Sequence, residues 1–490
     1  MNYSLKVLFL CSVLALSACG GTGGGVGLSG ANDAFTAEGE SGGGTDATDP
    51  DGPGGSDELG TYNRDCFWAV NSDPNVGNTL YPDEFAIYWI GSLDIPPGGH
   101  IRLEGEYPHA RYSSLQLYNP ALQPIDGLAD AEITPQAGST NPSLAGADRT
   151  VEDRSYSVEV IAAVPPADIQ ERLPNTLYSY QGRGDLVAPS LKATVFYRIY
   201  LPDNGRDISG DVGLPRVILV QANGTEIAGS DACSLLSDPL PTSDANVVGD
   251  ADLPLNTPST IDLGFKDLQW LKFLDFASAQ SNRFNAGLLG PLLTSLPTNS
   301  EETDGGFASN IHNAYIYTAF DVNLGEVGVF EAPFPVTPRT LGGEPVMGMA
   351  DMRYWSVCTN ENNSQRFIDC IYDEDTVLAG GSANRRIFAV TKPSDRPNNA
   401  TADCGVNWLA FGPQQESLVI IRNMLPENHF VNAIQAIPGP AGHCERPVME
   451  SFYPAGTHFT KAEFEALGCP VNPDAIPNRD SQFPPNANCM

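Results

Sequence analysis

The chain has 490 residues, with 26 Lys and Arg against 60 Asp and Glu, which gives a formal net charge of −34 and a pI near 4.3. A surface this acidic is repelled by nucleic acids and by anionic lipid headgroups, which argues against both as partners. The length is enough for two or three domains.

Residues 1–18 have the pattern of an export signal. Lys6 provides a short positive end, residues 7–16 form an apolar core, and Leu16-Ser17-Ala18-Cys19 closes it. An apolar run this short is typical of a signal peptide and not of a membrane-spanning helix.

The end of this signal resembles a bacterial lipobox, which implies cleavage before Cys19 and lipid on the Cys19 thiol. An ordinary signal peptide that happens to contain a cysteine is the alternative. Gly20 stands where lipoproteins retained in the inner membrane typically have Asp. The resemblance therefore implies a protein attached by its N-terminal lipid to the outer membrane, on either the periplasmic or the surface side.

Residues 19–60 are rich in Gly, contain acidic residues and have no Lys or Arg. Such a composition cannot bury enough apolar surface to fold, so we predict a disordered tether. Within it, Asp49, Asp51 and Glu58 occupy positions three, five and twelve of a calcium loop counted from Ala47, which itself lacks the carboxylate of position one. We therefore predict no metal site, and no cofactor.

Residues 61–235 and 306–440 consist of short apolar runs separated by Pro, Gly and Asn turns, as in Ile101-Arg102-Leu103-Glu104. Alternation of this kind indicates β-strands, and many short strands favour a sandwich, a jelly roll or a barrel. We predict a mainly β protein with two tandem antiparallel β-sandwich domains of jelly-roll type, joined by a helical linker.

The linker comprises residues 236–305. Phe265, Leu268 and Leu271 fall on one helical stripe, which predicts a helical hairpin that continues through residues 288–296. A second, shorter helix is predicted within residues 166–173 of the first sandwich.

The two β regions carry the same motifs, which predicts an internal duplication and not a solenoid, because the period is far above that of solenoid repeats. Three pairs of segments match: Ala110-Arg111-Tyr112-Ser113-Ser114 with Met352-Arg353-Tyr354-Trp355-Ser356, Ala86-Ile87-Tyr88-Trp89 with Ala314-Tyr315-Ile316-Tyr317, and Arg198-Ile199-Tyr200-Leu201-Pro202 with Arg422-Asn423-Met424-Leu425-Pro426.

The repeated arginines sit in apolar or aromatic strands, where an unpaired guanidinium would be costly. We predict that Arg198 and Arg422 are structural, and that Arg111 and Arg353 are accessible at a crevice between the domains, where they bind an anionic or aromatic ligand. The predicted ligand-binding residues are Arg111, Tyr112, Arg353, Tyr354 and Trp355. Since both copies have these arginines, the favoured interpretation is that every one of them holds sheets together, and ligand binding is the alternative.

Eight cysteines remain after the signal and the lipidated Cys19, and an exported chain with an even number predicts four disulfides. The predicted pairs are Cys66–Cys233, Cys358–Cys370, Cys404–Cys444 and Cys469–Cys489. A zinc site is disfavoured because the sequence contains no Cys-x-x-Cys.

The predicted disulfide Cys469–Cys489 would crosslink a loop-rich tail of residues 441–490. The tail has one helix start, where Thr460 and Glu463 form a capping box and Gly468 provides the stop.

Asn407-Trp408-Leu409-Ala410 and the later Arg422-Asn423-Met424-Leu425-Pro426 resemble the end of an exported bacterial domain of unknown function, group 1214. Tyr354-Trp355-Ser356-Val357 is similar to that group's Phe-Trp-Ser-Val strand. The chain departs from the group at Ala410, where Pro is expected, and at Met424, where Tyr is expected. The resemblance implies an antiparallel β-sandwich and no established activity.

No Walker loop or His-Glu-x-x-His motif is present, no Gly-x-Ser-x-Gly elbow lies in the predicted β regions, and no catalytic residue is predicted. The sequence favours a non-enzymatic lipoprotein of the cell envelope that binds a small molecule or a protein partner. The alternative is an exported hydrolase whose site is assembled in space between the two β domains, since catalytic triads are recognised by geometry and not by order.

Overall fold

Four sheets of four or five strands make up most of the described chain, and they pack in pairs as two sandwiches. The structure is a computed structural model that describes residues 67–68, 70–72, 78, 81–119, 123–182, 186–233, 267–273, 309–346, 350–361, 366–438 and 444–477. All of them belong to one compact unit. The predicted mainly β fold is confirmed.

The first sandwich consists of sheets A and B, whose facing sides form one apolar core. Sheet A has the order β1-β2-β10-β4-β5, with β1 Val70–Ser72, β2 Ala86–Asp94, β4 Ala110–Tyr118, β5 Pro124–Ala129 and β10 Lys192–Pro202. Sheet B has the order β12-β11-β3-β6-β7, with β3 His100–Glu106, β6 Ser155–Ile161, β7 Thr176–Tyr178, β11 Arg216–Val220 and β12 Glu226–Ala228. A small ribbon, β8 Tyr180–Gln181 and β9 Ala188–Pro189, and a single helical turn, α1 Ser230–Cys233, complete it.

The second sandwich consists of sheets C and D around their own core. Sheet C has the order β13-β14-β20-β16-β17, with β13 Leu271–Lys272, β14 Asn313–Asp321, β16 Met352–Asn360, β17 Phe367–Tyr372 and β20 Glu416–Pro426. Sheet D has the order β19-β18-β15-β21, with β15 Val327–Pro333, β18 Arg385–Thr391, β19 Val406–Ala410 and β21 Ala455–Phe459. Helices α2 Glu445–Met449 and α3 Lys461–Glu465 flank β21.

The topology of the sandwiches confirms the duplication. The run β2-β10-β4-β5 matches β14-β20-β16-β17, and β11-β3-β6-β7 matches β21-β15-β18-β19, with one parallel strand pair at the same place in each. Registers match too, because Arg198 lies opposite Ser114 and Arg422 lies opposite Ser356.

The strand registers correct one of the predicted alignments by one residue. Tyr88 lies opposite Arg198, and Tyr315 lies opposite Arg422, so Tyr88 corresponds to Tyr315 and not to Ile316. The alignment of Ala86 with Ala314 was therefore one residue out.

The predicted linker helix at Phe265–Leu274 is wrong where the structure describes it. Leu271 and Lys272 pair with β14, and Asp267 forms a bridge to Thr457 of β21, so this segment is extended. Cross-strand pairing on two sheets overrides the helical spacing of the apolar residues. The predicted hairpin through residues 288–296 lies outside the described residues. Residues 166–173 contain only a 3₁₀ turn, Ile169–Glu171.

The second sandwich is larger than residues 306–440, because β13 and β21 complete its sheets from the predicted linker and tail. The tail after β21 covers the outer face of sheet D, where Phe464, Val471 and Ile476 are buried. The predicted helix start is confirmed, since Thr460 and Glu463 cap α3 reciprocally.

The structure confirms one predicted disulfide, Cys358–Cys370, which joins directly paired residues of β16 and β17. Cys404 pairs with Cys469, so the predictions Cys404–Cys444 and Cys469–Cys489 are wrong. The backbone explains the change, because Val471 N–H donates to the Cys404 carbonyl at 2.9 Å and brings the tail alongside Cys404. Cys66 of the predicted pair Cys66–Cys233 lies outside the described residues.

Candidate functional site

The outer faces of sheets A and C meet in a layer between the sandwiches, which we call the interdomain layer. Strands β4 and β16 are buried at every position, as expected for strands covered on both sides. The layer contains a cluster of buried aromatic and apolar side chains from both halves: Ala86, Tyr112, Ala129, Tyr200, Leu201, Tyr354, Tyr372 and Met424.

Arg111 crosses this layer from the first half to the second. Its Nη1 donates to both carboxylate oxygens of Asp373, at 2.5 and 2.7 Å, and its Nε donates to Thr340 Oγ1 at 2.8 Å. Nη2 of the same guanidinium also pairs with Glu374. Burial raises the pKa of Asp373, against the opposing effect of the Arg111 charge.

Arg353 crosses the layer in the opposite direction, with its Nη1 2.8 Å from Asp130 Oδ1. One oxygen of each acid also accepts a backbone N–H from its own half: Ser113 N–H donates to Asp130 Oδ2 at 2.7 Å, and Trp355 N–H donates to Asp373 Oδ2 at 3.3 Å. Each repeated arginine thus binds the acid that follows the edge strand of the other half. We call these two contacts the reciprocal ion pairs.

The prediction that Arg111 and Arg353 are accessible is therefore wrong. Arg111 is 0% and Arg353 3% exposed, and a carboxylate of the other half compensates the buried charge of each guanidinium. The other predicted ligand-binding residues, Tyr112, Tyr354 and Trp355, are also fully buried. Their rings therefore do not line a surface that a ligand could reach.

Tyr354 and Trp355 have structural contacts on opposite sides of β16. The Tyr354 hydroxyl donates to the Asp83 carboxylate at 3.0 Å in the interdomain layer. The Trp355 ring packs against Phe334 at 4.4 Å, and its Nε1 donates to the Pro335 carbonyl at 3.0 Å.

Arg198 and Arg422 occupy equivalent positions closer to the centre of the layer, and both are buried. Nη1 of Arg198 donates to Gln116 Oε1 at 2.9 Å, and its guanidinium lies over the Tyr88 ring at 5.2 Å. Nη2 of Arg422 donates to the Tyr81 carbonyl at 2.7 Å. These contacts agree with the structural role predicted for this pair.

The halves differ at several equivalent positions of the layer, three of which affect its polar contacts. The first half has Asp83, Phe85 and Gln116 where the second has Asn310, His312 and Cys358. Phe85 N–H donates to the Asp83 side chain at 3.1 Å, and His312 N–H donates to the Asn310 side chain at 3.0 Å. This shared contact supports the alignment. The shared contacts follow from the duplicated fold, so these differences are candidates for a function of the layer.

His312 connects the halves at the edge of the layer. Its Nδ1 lies 2.7 Å from the Tyr112 hydroxyl, and its Nε2 lies 3.4 Å from Glu132 Oε2. Burial disfavours ionisation of Glu132, but the hydrogen bond and charge of His312 outweigh it and lower the Glu132 pKa. Burial raises the pKa of Tyr112 well above its usual value.

Tyr112, His312 and Glu132 have the order of a nucleophile, a base and an orienting acid. However, Tyr112 is 0% exposed, and its raised pKa keeps the hydroxyl protonated. A substrate would have to displace protein groups to reach this hydroxyl. The arrangement is better suited to joining the halves than to catalysis.

One group of potential metal ligands occurs among the described residues, formed by Asp83, Cys358 and Cys370. The two sulfurs are bonded to each other and offer no thiolate. The group therefore does not fit a metal ion.

The acids of the reciprocal ion pairs were not identified from the sequence. Asp130 follows Arg111 by 130 − 111 = 19 residues, and Asp373 follows Arg353 by 373 − 353 = 20 residues. This matched spacing was a usable signal, whereas His312 has Phe85 at the equivalent position of the other copy, so the repeat could not reveal it.

None of the helices that the structure describes is long and apolar enough to cross a membrane.

Two solved structures are similar to the chain. An uncharacterised protein from Burkholderia cenocepacia is 11% identical with a TM-score of 0.37, over 71% of this chain and 75% of that chain. A protein from Vibrio parahaemolyticus is 12% identical with a TM-score of 0.35, over 77% of this chain and 90% of that chain. No protein-family model and no curated protein matches the chain.

Proposed function

We propose that this chain is a non-enzymatic lipoprotein, attached to the outer membrane through Cys19, whose paired sandwiches bind a small molecule or a protein at the cell envelope. The export signal and the lipobox-like ending support the location. The disulfides Cys358–Cys370 and Cys404–Cys469 suit an oxidising compartment outside the cytoplasm.

The complete burial of Tyr112 carries the non-enzymatic part of this proposal. It is the nucleophile position of the Tyr112, His312 and Glu132 arrangement, and burial there both blocks substrate access and raises the hydroxyl pKa. A hydrolase needs a nucleophile that is accessible and activated.

The exported hydrolase remains a second candidate because the hydrogen bond between Tyr112 and His312 and the contact of His312 with Glu132 have triad geometry. Membership of the group-1214 family is likewise proposed on the Asn407-Trp408-Leu409 motif. Asn407 acts structurally, since its amide donates to the Val377 and Ile387 carbonyls at 3.0 and 3.1 Å.

Two experiments test the proposal. Membrane fractionation of wild type and Cys19→Ala should find the wild type with the outer membrane and the variant released; recovery of both in the same fraction would contradict the anchor. A panel of ester, amide and phosphoester substrates should show no turnover. Turnover that is lost in both Tyr112→Phe and His312→Gln would establish the hydrolase instead.

A further inference from the structure

Three buried polar atoms on neighbouring side chains of the interdomain layer have no hydrogen-bond partner among the described residues: Nη1 of Arg422, Oδ1 of Asn313 and Nδ2 of Asn310. These residues are 2%, 1% and 3% exposed, respectively. Buried polar atoms in folded proteins are almost always hydrogen-bonded, because leaving them unpaired costs their full desolvation energy. A group other than the described residues must therefore supply the missing bonds.

The three side chains belong to one neighbourhood. The Asn313 N–H donates to the Asn310 carbonyl at 3.0 Å, and Arg422 is paired directly with Tyr315, two residues beyond Asn313. Asn313 Nδ2 lies 3.3 Å from the Tyr200 hydroxyl. Tyr315 is only partly buried, so the neighbourhood reaches solvent at this point.

The duplication explains why Nη1 of Arg422 lacks an acceptor, while Nη2 binds the Tyr81 and Pro82 carbonyls and Nε lies 3.8 Å from Asp83 Oδ2. In the first half, Gln116 Oε1 accepts from Nη1 of Arg198. The equivalent position of the second half is Cys358, whose sulfur is bonded to Cys370. A disulfide sulfur is a poor acceptor compared with an amide oxygen. The group that satisfies one arginine is thus absent beside the other.

We propose that Arg422, Asn310 and Asn313 bind a small carboxylate in the interdomain layer. The guanidinium and the Asn310 amide both present donors, and the fork of the guanidinium suits the two oxygens of a carboxylate. When the O and N atoms of the Asn313 amide are exchanged, the amide nitrogen becomes a third donor toward the ligand. The amide oxygen then accepts a hydrogen bond from the Tyr200 hydroxyl. This inference rests on the proposed ligand-binding function and names the class of ligand.

Calorimetric titration of sodium acetate into the mature chain, in a chloride-free zwitterionic buffer, tests the site. We expect saturable binding by the wild type. Binding should be at least tenfold weaker in Asn313→Asp, because a carboxylate there pairs with Arg422 and repels the ligand. It should be equally weakened in the double variant Cys358→Gln, Cys370→Gly, which copies the Gln116 and Gly127 pair of the first half.

Asn223→Asp is the matched control, because it adds the same charge in an exposed turn and keeps the oxygen that accepts from Thr225 N–H. It should bind acetate as the wild type does. Absence of saturable binding by the wild type would mean that ordered water satisfies the three atoms, and would overturn the site. Unchanged binding in either Asn313→Asp or the double variant would overturn it as well. Neither result affects the fractionation or hydrolysis tests, so failure of this site is distinguishable from failure of the proposed function.

Discussion

Replacing Arg353 by Met removes one of the two reciprocal ion pairs and leaves the Asp130 carboxylate without its guanidinium. Breaking a buried pair from one side costs about 3–5 kcal/mol, because the remaining charge stays desolvated. Asp130 is 2% exposed but keeps the N–H donors of Ser113 and Ala131, at 2.7 and 2.6 Å. We therefore expect a loss near the lower end, about 3 kcal/mol, in the free energy of unfolding.

Urea unfolding followed by far-UV circular dichroism measures this loss in the mature chain. Arg216→Met is the matched control, since Arg216 is an exposed residue of β11, and its substitution should change the free energy by less than about 0.5 kcal/mol. Equal stability of Arg353→Met and wild type would refute a structural role for the reciprocal ion pairs.

Two further predictions concern the disulfides and the pH dependence. Non-reducing peptide mapping should join Cys404 to Cys469, and a Cys404–Cys444 peptide would contradict the packing of the tail against sheet D. Because the folded pKa of Glu132 is lowered, mainly by the His312 hydrogen bond acting against burial, its stabilisation is present above the unfolded pKa and is lost as the pH falls through the folded pKa. The difference in unfolding free energy between wild type and Glu132→Gln should therefore shrink as the pH falls from about 5 to about 3, and a constant difference would contradict the contact.

The sequence was sufficient to predict the β fold and the duplication because both depend on local patterns. Strand alternation is visible within a few residues, and the Arg-Tyr-x-Ser motif repeats nearly unchanged at Arg111 and Arg353. The burial of a guanidinium depends on a different kind of information. Arg111 is paired to an acid 373 − 111 = 262 residues away, and no local spacing links the two.

Strand β13 was missed for a related reason. Phe265, Leu268 and Leu271 satisfy a helical stripe, but the strand edges offered by β14 and β21 decide the conformation of this segment. The cysteine pairs divide in the same way. Cys358–Cys370 lies within one hairpin and was predictable from spacing, whereas Cys404–Cys469 depends on the path of the tail across sheet D.

The central claim is that the interdomain layer joins the two sandwiches into one cooperative body. Hydrogen–deuterium exchange of the mature chain tests it directly at the amides of β4 and β16, which are the most deeply buried strands of the two halves. We predict that both strands exchange with the same opening free energy, and that Arg353→Met lowers this energy in both by the same amount. Exchange of one sandwich at a distinctly lower free energy than the other, with Arg353→Met affecting only β16, would contradict the claim.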